Sequence, residues 1–277
     1  MGALADLRRE IDEIDQEVHG LLMRRATIVG EIAAIKAETA AAQTAPQIIY
    51  PAREAEVIRK LSESHFGHLP LRTLVQIWRE IISASVYIQR PMRVGLVESL
   101  SDSVHGIARD HFGALISTQP FDSAAALFDA VAAEPGLVGV LPYPKVVHDA
   151  EPWWPQLASG RQNAPRVVAR LPFLKGAGDA LVIGRFDPGV SSADTSLFVV
   201  EGSGLLNPGN AKVRVLGQVT LGVRPNERDL TLFELDGGSD AADVDSLRSA
   251  LGVDGAALDV CYAGGYAAQL ACTPSAG

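Results

Sequence analysis

The sequence lacks most features that mark disulfide-rich, metal-binding or membrane proteins. Its 277 residues include only two cysteines, Cys261 and Cys272, near the end and without ligand-like spacing to the histidines. This excludes a disulfide framework, and we expect both to be small core residues in a reducing cytoplasm. No apolar run approaches the length of a membrane span, and the acidic start, MGALADLRREIDEID, is unlike a secretory signal. We therefore expect a cytoplasmic protein without membrane contact.

Basic stretches are also missing. The net charge is −9, and no basic face or aromatic-interleaved basic segment is present, which argues against nucleic acid as a partner. No Gly-rich phosphate loop occurs, and the histidines have neither metal-ligand nor triad spacing. With 47% hydrophobic residues, the length suggests two domains, each able to bury a core.

The most regular pattern lies between Leu4 and Lys36, which we predict to be one long helix. Its apolar residues recur in alternating steps of three and four, the spacing of a coiled-coil seam. The seam positions are Leu4, Leu7, Ile11, Ile14, Val18, Leu21, Ile28, Ile32 and Ile35.

Arg25 interrupts this seam, and a charge on a buried seam is costly unless it is neutralised. One interpretation is a register-setting residue with an acidic partner. The other is a cation that faces an anionic ligand. Lys36 favours the second, because it follows about three turns later on nearly the same face, about 16 Å along the axis. Two such cations can close on a small polyanion from both ends.

Two shorter helices are predicted to follow, about Ala52–Ser64 and Leu71–Gln89. Pro51 opens the first, as is common for proline in a first turn. The seam of the second gives way to Ser85, with Gln89 one turn later on the same face. Polar interruptions of complementary chemistry in neighbouring helices predict a lined pocket.

After Pro91 the pattern changes to alternating apolar runs of strand length and amphipathic stretches, which is typical of an α/β layer architecture. We therefore divide the chain into a helical domain, residues 1–91, and an α/β domain, residues 92–277. Predicted strands lie at MRVGLV, Ala114–Ser117, LVGVLPYP, Arg166–Pro172, Ala180–Gly184, Ser196–Glu201 and Asp229–Leu235, with helices near Ser103–Phe112, in SAAALFDAVAAE and near Asp243–Leu251, and with apolar segments at Ala257–Tyr262 and Tyr266–Ala271.

The helical domain resembles the all-helical (type II) chorismate mutases. The resemblance rests on LRREIDEIDQEVHGLLMRRATIVGEIAAIK, AREAEVIRKL and IWREIISASVYIQ. It implies an all-α three-helix domain that forms an intertwined homodimer and converts chorismate to prephenate without metal or cofactor. Carried over by position, it implies Lys36, Gln89 and Glu54 as catalytic residues, and Arg8, Arg25, Arg53 and Ser85 as substrate-binding residues.

The implied chemistry suits these residues. Chorismate carries two carboxylates and rearranges by a concerted shift, so catalysis must come from holding the reactive conformer and stabilising charge on the breaking ether oxygen. Lys36 and Gln89 would donate to that oxygen, and Glu54 would accept from the ring hydroxyl, although Glu54 could simply complement a helix dipole. The chain departs from the family pattern at Tyr50, where an acidic residue is often found.

Arg8 indicates how the domain assembles. It lies 17 residues before Arg25, about 25 Å away along one helix and turned about 100° from its face. One straight helix cannot bring both side chains to the same small substrate. We therefore expect Arg8 to enter the pocket of a second protomer in a symmetric dimer.

The residues from Met92 resemble, in outline, a prephenate dehydratase, which implies an α/β fold of the periplasmic-binding-protein-like type. Where that family carries Thr-Arg-Phe, this chain has Ser196-Leu197-Phe198, so the cation expected for the elimination is missing unless Arg185 replaces it. The segment from about Asp229 is a candidate for a reduced regulatory domain.

The leading hypothesis is therefore a chorismate mutase of aromatic amino acid (Phe/Tyr) biosynthesis in the shikimate pathway, fused to a dehydratase-like domain that has lost its reaction. One alternative is an active bifunctional mutase and dehydratase. Another, from a different class, is a ligand-sensing regulator whose second domain binds an aromatic product. The mutase site speaks against a purely non-catalytic protein.

Overall fold

The structure is a computed structural model that describes residues 2–39, 47, 49–99, 102–144, 152–159, 164–202, 211–222, 227–237, 244–251 and 259–271. Cys272 lies outside these ranges. Within these ranges the chain begins with three helices and continues into a nine-stranded sheet, so the predicted order of a helical region followed by an α/β region is confirmed. No helix in the described ranges combines the length and apolarity that crossing a bilayer requires.

The elements, in chain order, are α1 Ala3–Thr39, α2 Pro51–Glu63, α3 Leu71–Gln89, β1 Arg93–Val97, α4 Asp102–Phe112, β2 Ser117–Phe121, α5 Ala124–Ala133, β3 Leu137–Pro142, a 3-10 helix Trp154–Ser159, β4 Arg166–Leu171, β5 Ala180–Gly184, β6 Asp194–Glu201, β7 Val213–Leu221, β8 Arg228–Asp236, α6 Val244–Leu251 and β9 Asp259–Ala267.

Proline sets the bounds of the shorter helices. Pro51 occupies the first turn of α2, where its missing N–H costs nothing. At the other end of the helical region, Arg90 is extended, with φ −168° and ψ 139°, because the following Pro91 disfavours helical geometry before it. α3 therefore ends at Gln89, as its sequence predicts.

α1 packs against α3 only through its C-terminal half, and it does not use the predicted seam. All residues of α1 before Leu22 are exposed. The residues that lose exposure against the rest of the chain are Leu22, Ala26, Val29, Gly30, Ala33 and Lys36. The nine seam side chains remain 43–65% exposed. Within the residues that the structure describes, the seam therefore has no partner.

The sheet has the strand order β2-β1-β3-β5-β4-β9-β6-β8-β7. Strands β2, β1 and β3 are parallel, and the helices α4 and α5 make the two crossovers. From β5 onward neighbours pair antiparallel, apart from a single parallel register pair between β4 and β9. Residues of α5 and the 3-10 helix pack on one side with Leu197, Leu216 and Leu232, and residues of α4 pack with Val94, Val140 and Val182.

Three strands differ from the sequence prediction. β2 begins at Ser117, where the prediction ended, and its polar, proline-containing sequence is tolerated because β2 is an edge strand. β7 was not predicted, since Gly217 interrupts its alternation at a register shift. β9 joins two predicted apolar segments through Gly264, whose φ of +117° and close approach to the Val167 backbone require glycine.

α2 is fastened to the α/β region. The side chain of Arg59, 8% exposed, donates to the carbonyls of Ala193 and Ala268, both at 3.0 Å, and to the Ser191 hydroxyl at 2.9 Å. Glu56 pairs with Arg59 at 2.9 Å and accepts from the Ser192 N–H at 2.7 Å. Because a buried guanidinium needs these acceptors, α2 depends on the sheet region for its position.

Candidate active site

Arg25 reaches from α1 across to α3. Its guanidinium donates to the Ser85 hydroxyl in a short contact and to the Ile81 carbonyl at 3.4 Å. The Ser85 hydroxyl donates to the same carbonyl at 2.7 Å, which fixes its lone pairs toward the arginine. Partial burial lowers the pKa of Arg25 from its ordinary value. The charge is therefore held at the α1–α3 contact by neutral oxygen atoms.

Lys36 makes a similar crossing about three turns of α1 further along. Its Nζ donates to Gln89 Oε1 at 2.9 Å and to the Gln47 carbonyl at 3.4 Å. The Tyr50 ring lies against the ammonium, with Nζ 4.5 Å from the ring centroid. The Gln89 side-chain nitrogen donates to the Ser85 carbonyl at 3.1 Å, so the residues that hold the two cations also contact each other.

The two cations converge on a short stretch of α3. Their backbones are about 16 Å apart along α1. Their acceptors Ser85 and Gln89 are one turn apart, only about 6 Å along α3. Long flexible side chains thus bring two positive charges to a site the size of a small molecule. We refer to Arg25, Lys36, Tyr50, Ser85 and Gln89 as the cation cluster.

Arg25 and Lys36 have neutral partners. By contrast, half of the other arginines among the described residues lie within salt-bridge distance of a carboxylate: Arg9, Arg59, Arg79, Arg93, Arg170, Arg214, Arg228 and Arg248. In the part of the chain that the structure describes, neither Arg25 nor Lys36 forms such a pair. Uncompensated cations that converge favour an anion with two or more charges.

Glu54 does not join the cation cluster. Its carboxylate pairs with Arg79 at 2.9 Å, and the side chains are 14% and 5% exposed, respectively. The pair lines a largely apolar cavity, partly open to solvent, between the helical and α/β regions. His111 of α4 lies in the same cavity, and burial, followed by the charge of Arg79, lowers the pKa of His111 well below its ordinary value. Neither Lys36 nor Gln89 lines this cavity.

Arg8 and Arg53 are exposed, and neither side chain forms a hydrogen bond or ion pair within the described residues. Of the seven residues named from the sequence, the structure brings four together, Arg25, Lys36, Ser85 and Gln89. It places Glu54 in a different cavity and leaves Arg8 and Arg53 at the surface. The roles of all seven stay predictions.

Two residues that the structure places near the site were not assigned a role from the sequence. Tyr50 departs from the family pattern, but sequence spacing does not indicate its contact with Lys36. For Arg79 the sequence does contain a signal: it lies one position after Trp78 of the apolar seam of α3, where an arginine that becomes buried requires a partner.

In the α/β region, the sequence Ser196-Leu197-Phe198 lies in β6 between β9 and β8, with each residue fully buried. Arg185 is exposed just after β5 and donates to the Ala132 carbonyl of α5 at 2.5 Å. Neither Leu197 nor Arg185 lines the cavity that contains Glu54 and Arg79. No cluster of three potential metal-ligating side chains occurs among the described residues.

The α/β region contains a separate ionic cluster around the fully buried Glu234. Its carboxylate accepts from the Tyr143 hydroxyl at 2.8 Å and from Arg214 Nε at 2.7 Å. Arg170 stacks on the Tyr143 ring at 3.9 Å and pairs with Asp179 at 3.0 Å. Burial and the charge of Glu234 raise the pKa of Tyr143. Because each charge here has an opposite partner, the cluster fits a structural role.

Comparison with known proteins assigns the helical region. Residues 7–90 match the model of the family described as chorismate mutase type II, which confirms the resemblance inferred from the sequence. A bifunctional chorismate mutase/prephenate dehydratase of Aquifex aeolicus is 32% identical over 146 residues, 51% of this chain and 39% of the relative. The Pseudomonas aeruginosa protein of the same description is 28% identical over 139 residues, 50% of this chain and 38% of the relative. The chain thus spans about two-fifths of the curated relatives that it matches.

A solved prephenate dehydratase from Streptococcus mutans is similar to 64% of this chain and 98% of its own, with 10% identity and a TM-score of 0.44.

Proposed function

We propose that this chain is a chorismate mutase that converts chorismate to prephenate. The observation that carries the proposal is the cation cluster: two converging cations with neutral partners, inside the segment that matches the type II chorismate mutase family. Chorismate is a dicarboxylate, so it supplies the charge that this cluster lacks. Arg25 is suited to one carboxylate, because a planar guanidinium binds that group with two parallel hydrogen bonds.

The rearrangement needs no nucleophile and no proton transfer, so the residues act by position and charge. In this proposal Lys36 and Gln89 lie about the ether oxygen, and Ser85 and Arg53 complete the carboxylate shell. The hydrogen bond from Lys36 Nζ to Gln89 Oε1, at 2.9 Å, orients both of these side chains. For Glu54 to accept from the ring hydroxyl, its carboxylate must leave Arg79 or share it.

The activity is tested by incubating the purified full chain with chorismate and identifying the product by chromatography. We expect prephenate to form at a rate far above the uncatalysed reaction. A chain that binds chorismate or an aromatic product without turnover would instead support the regulator hypothesis. No effect of the chain on chorismate would remove the proposed function.

We further propose that the enzyme is a symmetric homodimer with Arg8 supplied in trans. The exposed seam of α1 runs about 45 Å along the helix axis, and an apolar stripe of that length is typical of an interaction surface. A second copy of α1 presents the same pattern and can bury it. Arg8, exposed and about 25 Å from Arg25, then reaches the cation cluster of the other protomer.

The test mixes two inactive variants, Arg8→Ala and Arg25→Ala, after joint unfolding and refolding. In a mixed dimer one site collects both defects and the other is intact, so activity should return. The neighbouring variants Arg9→Ala and Arg24→Ala are matched controls and should stay active, since Arg9 pairs with Asp6 in an exposed bridge and Arg24 is exposed. Verified mixed dimers without activity would show that each site is built within one chain.

For the α/β region we propose that dehydratase chemistry is lost. The support is the burial of Leu197 where the family carries arginine, and the position of Arg185 against the Ala132 carbonyl. We expect the chain to accumulate prephenate at neutral pH without forming phenylpyruvate. Since acid alone dehydrates prephenate, the assay needs a control without enzyme. Enzyme-dependent phenylpyruvate would point to the active bifunctional alternative and to Arg185 as the substitute cation.

We also propose that the domain boundary lies near residue 91, between Gln89 and Arg93, the last residue of α3 and the first of β1. Within the α/β region, the proposed C-terminal segment from about Asp229 begins with β8, which pairs on one side with β6 and on the other with β7. Cleavage of the folded chain by a protease at low concentration tests both positions.

A further inference from the structure

Tyr50 contacts the ammonium of Lys36 without neutralising it. Nζ lies 4.5 Å from the centroid of the ring, within the range in which a cation is attracted by the electron-rich face of an aromatic ring. The Tyr50 hydroxyl donates to the Gln47 carbonyl at 2.8 Å, and Lys36 donates to the same carbonyl at 3.4 Å. The ring is therefore anchored at its far end and cannot turn away from the lysine without losing a hydrogen bond.

The anchor is itself fixed by the α/β region. The Gln47 side chain donates to the Ile49 carbonyl at 2.6 Å and to the Asp187 carbonyl at 3.1 Å. On its other side, Tyr50 is followed by α2, and its carbonyl accepts from the Glu54 N–H at 2.9 Å. Tyr50 is thus held by the start of α2 and by Gln47, and its ring in turn restricts where the Lys36 ammonium can lie.

We infer that Tyr50 is a positioning residue for the mutase reaction, which orients Lys36 while leaving its full charge to the substrate. This inference rests on the proposed function. A carboxylate at position 50 would orient the ammonium equally well, but it would also compensate the charge. The Tyr50 ring orients the ammonium without adding a negative charge, so the cation cluster keeps its net positive charge for a dicarboxylate.

Four variants of the full chain separate these effects. Tyr50→Leu removes the ring, and we expect kcat to fall about fivefold to tenfold with little change in KM, because misplacing Lys36 affects the breaking ether oxygen more than ground-state binding. Tyr50→Phe keeps the ring but not the hydroxyl, and it should retain at least half of the wild-type kcat. Tyr50→Asp should raise KM severalfold and weaken the equilibrium binding of prephenate in calorimetry, because the added charge competes for Lys36. Tyr87→Leu makes the same substitution at another exposed tyrosine, on α3, and should change neither constant.

The outcomes distinguish the failure of this inference from that of the proposed function. An inactive wild-type chain removes the proposed function. With an active wild type, a Tyr50→Leu variant of unchanged kcat overturns the positioning role. A Tyr50→Phe variant as impaired as Tyr50→Leu overturns the role of the ring and assigns the effect to the hydroxyl. Tyr50 is 38% exposed, so its replacement leaves the core intact, and thermal unfolding of each variant verifies this.

Discussion

The buried pair of Glu54 and Arg79 can be tested by substitution. Replacing Arg79 with methionine keeps most of the side-chain volume but leaves the Glu54 carboxylate buried without a partner. Removing one member of a buried pair typically costs about 3–5 kcal/mol. Because Glu54 remains 14% exposed and can gain some hydration, we expect the lower end, about 3 kcal/mol.

The double variant Glu54→Gln/Arg79→Met removes both charges and should lose much less stability than the sum of the single variants. The coupling free energy should be about 2 kcal/mol, well above the few tenths expected for independent sites. The same substitution in the exposed pair Arg93–Glu134, where the side chains are 47% and 41% exposed, should cost less than about 1 kcal/mol. The free energy of unfolding in urea measures each quantity, and the thermal midpoint of Arg79→Met should fall by about 6–12 °C.

A different result would restore the sequence-based expectation. If Arg79→Met is no more destabilising than Arg93→Met, and the cycle is additive, Glu54 is not held by Arg79. Its carboxylate would then be free to turn toward Lys36 and Gln89, as the family resemblance implies. The measurement therefore decides between two positions of one catalytic candidate without relying on turnover.

Three further predictions concern Arg25, His111 and Gly189. Arg25→Ala should lower kcat about a hundredfold, as loss of one carboxylate clamp, whereas Arg24→Ala should not. Because burial and the charge of Arg79 hold the folded pKa of His111 well below its ordinary 6.5, the unfolded chain binds a proton first as the pH falls. The free energy of unfolding should therefore decrease between pH 7.5 and 5.5, but not in His111→Asn. Gly189→Ala should destabilise the protein more than Gly237→Ala. Both glycines have φ near +80°, but only at position 189 would an added Cβ lie 3.1 Å from the Ala52 Cβ. Urea unfolding of the two variants measures the difference in free energy.

The three helices could be predicted from the sequence because their periodicity and their prolines are local signals. Pro51 and Pro91 mark ends that no tertiary contact has to specify. The polar positions that interrupt the seams, Arg25 and Ser85, were found for the same reason, and the structure joins them. The two residues could be identified from their spacing along each helix, without knowledge of the rest of the fold.

Other features depended on competition between tertiary contacts. The face of α1 that packs on α3 contains Ala26, Gly30 and Ala33, small residues that allow close approach but give no apolar signal, while the stronger seam stays exposed. The direction of Glu54 depends on Arg79, a residue 25 positions later that needs a counter-charge when buried. Strand β7 was missed because its alternation breaks at Gly217, where the register with β8 shifts.

The position of α2 explains why the α/β region matters to the mutase even without a reaction of its own. α2 carries Arg53 and Glu54, and it buries Ile58 against Phe173 and Leu174 of the α/β region. Its N-terminus donates from Ala52 to the Pro188 carbonyl at 3.2 Å, and Arg59 satisfies two further carbonyls of the same region. Taken alone, the helical segment would expose this apolar face and leave a guanidinium without its acceptors. The region after Met92 thus supplies half of the surroundings of α2, which makes the two parts of the chain one unit for the proposed chemistry.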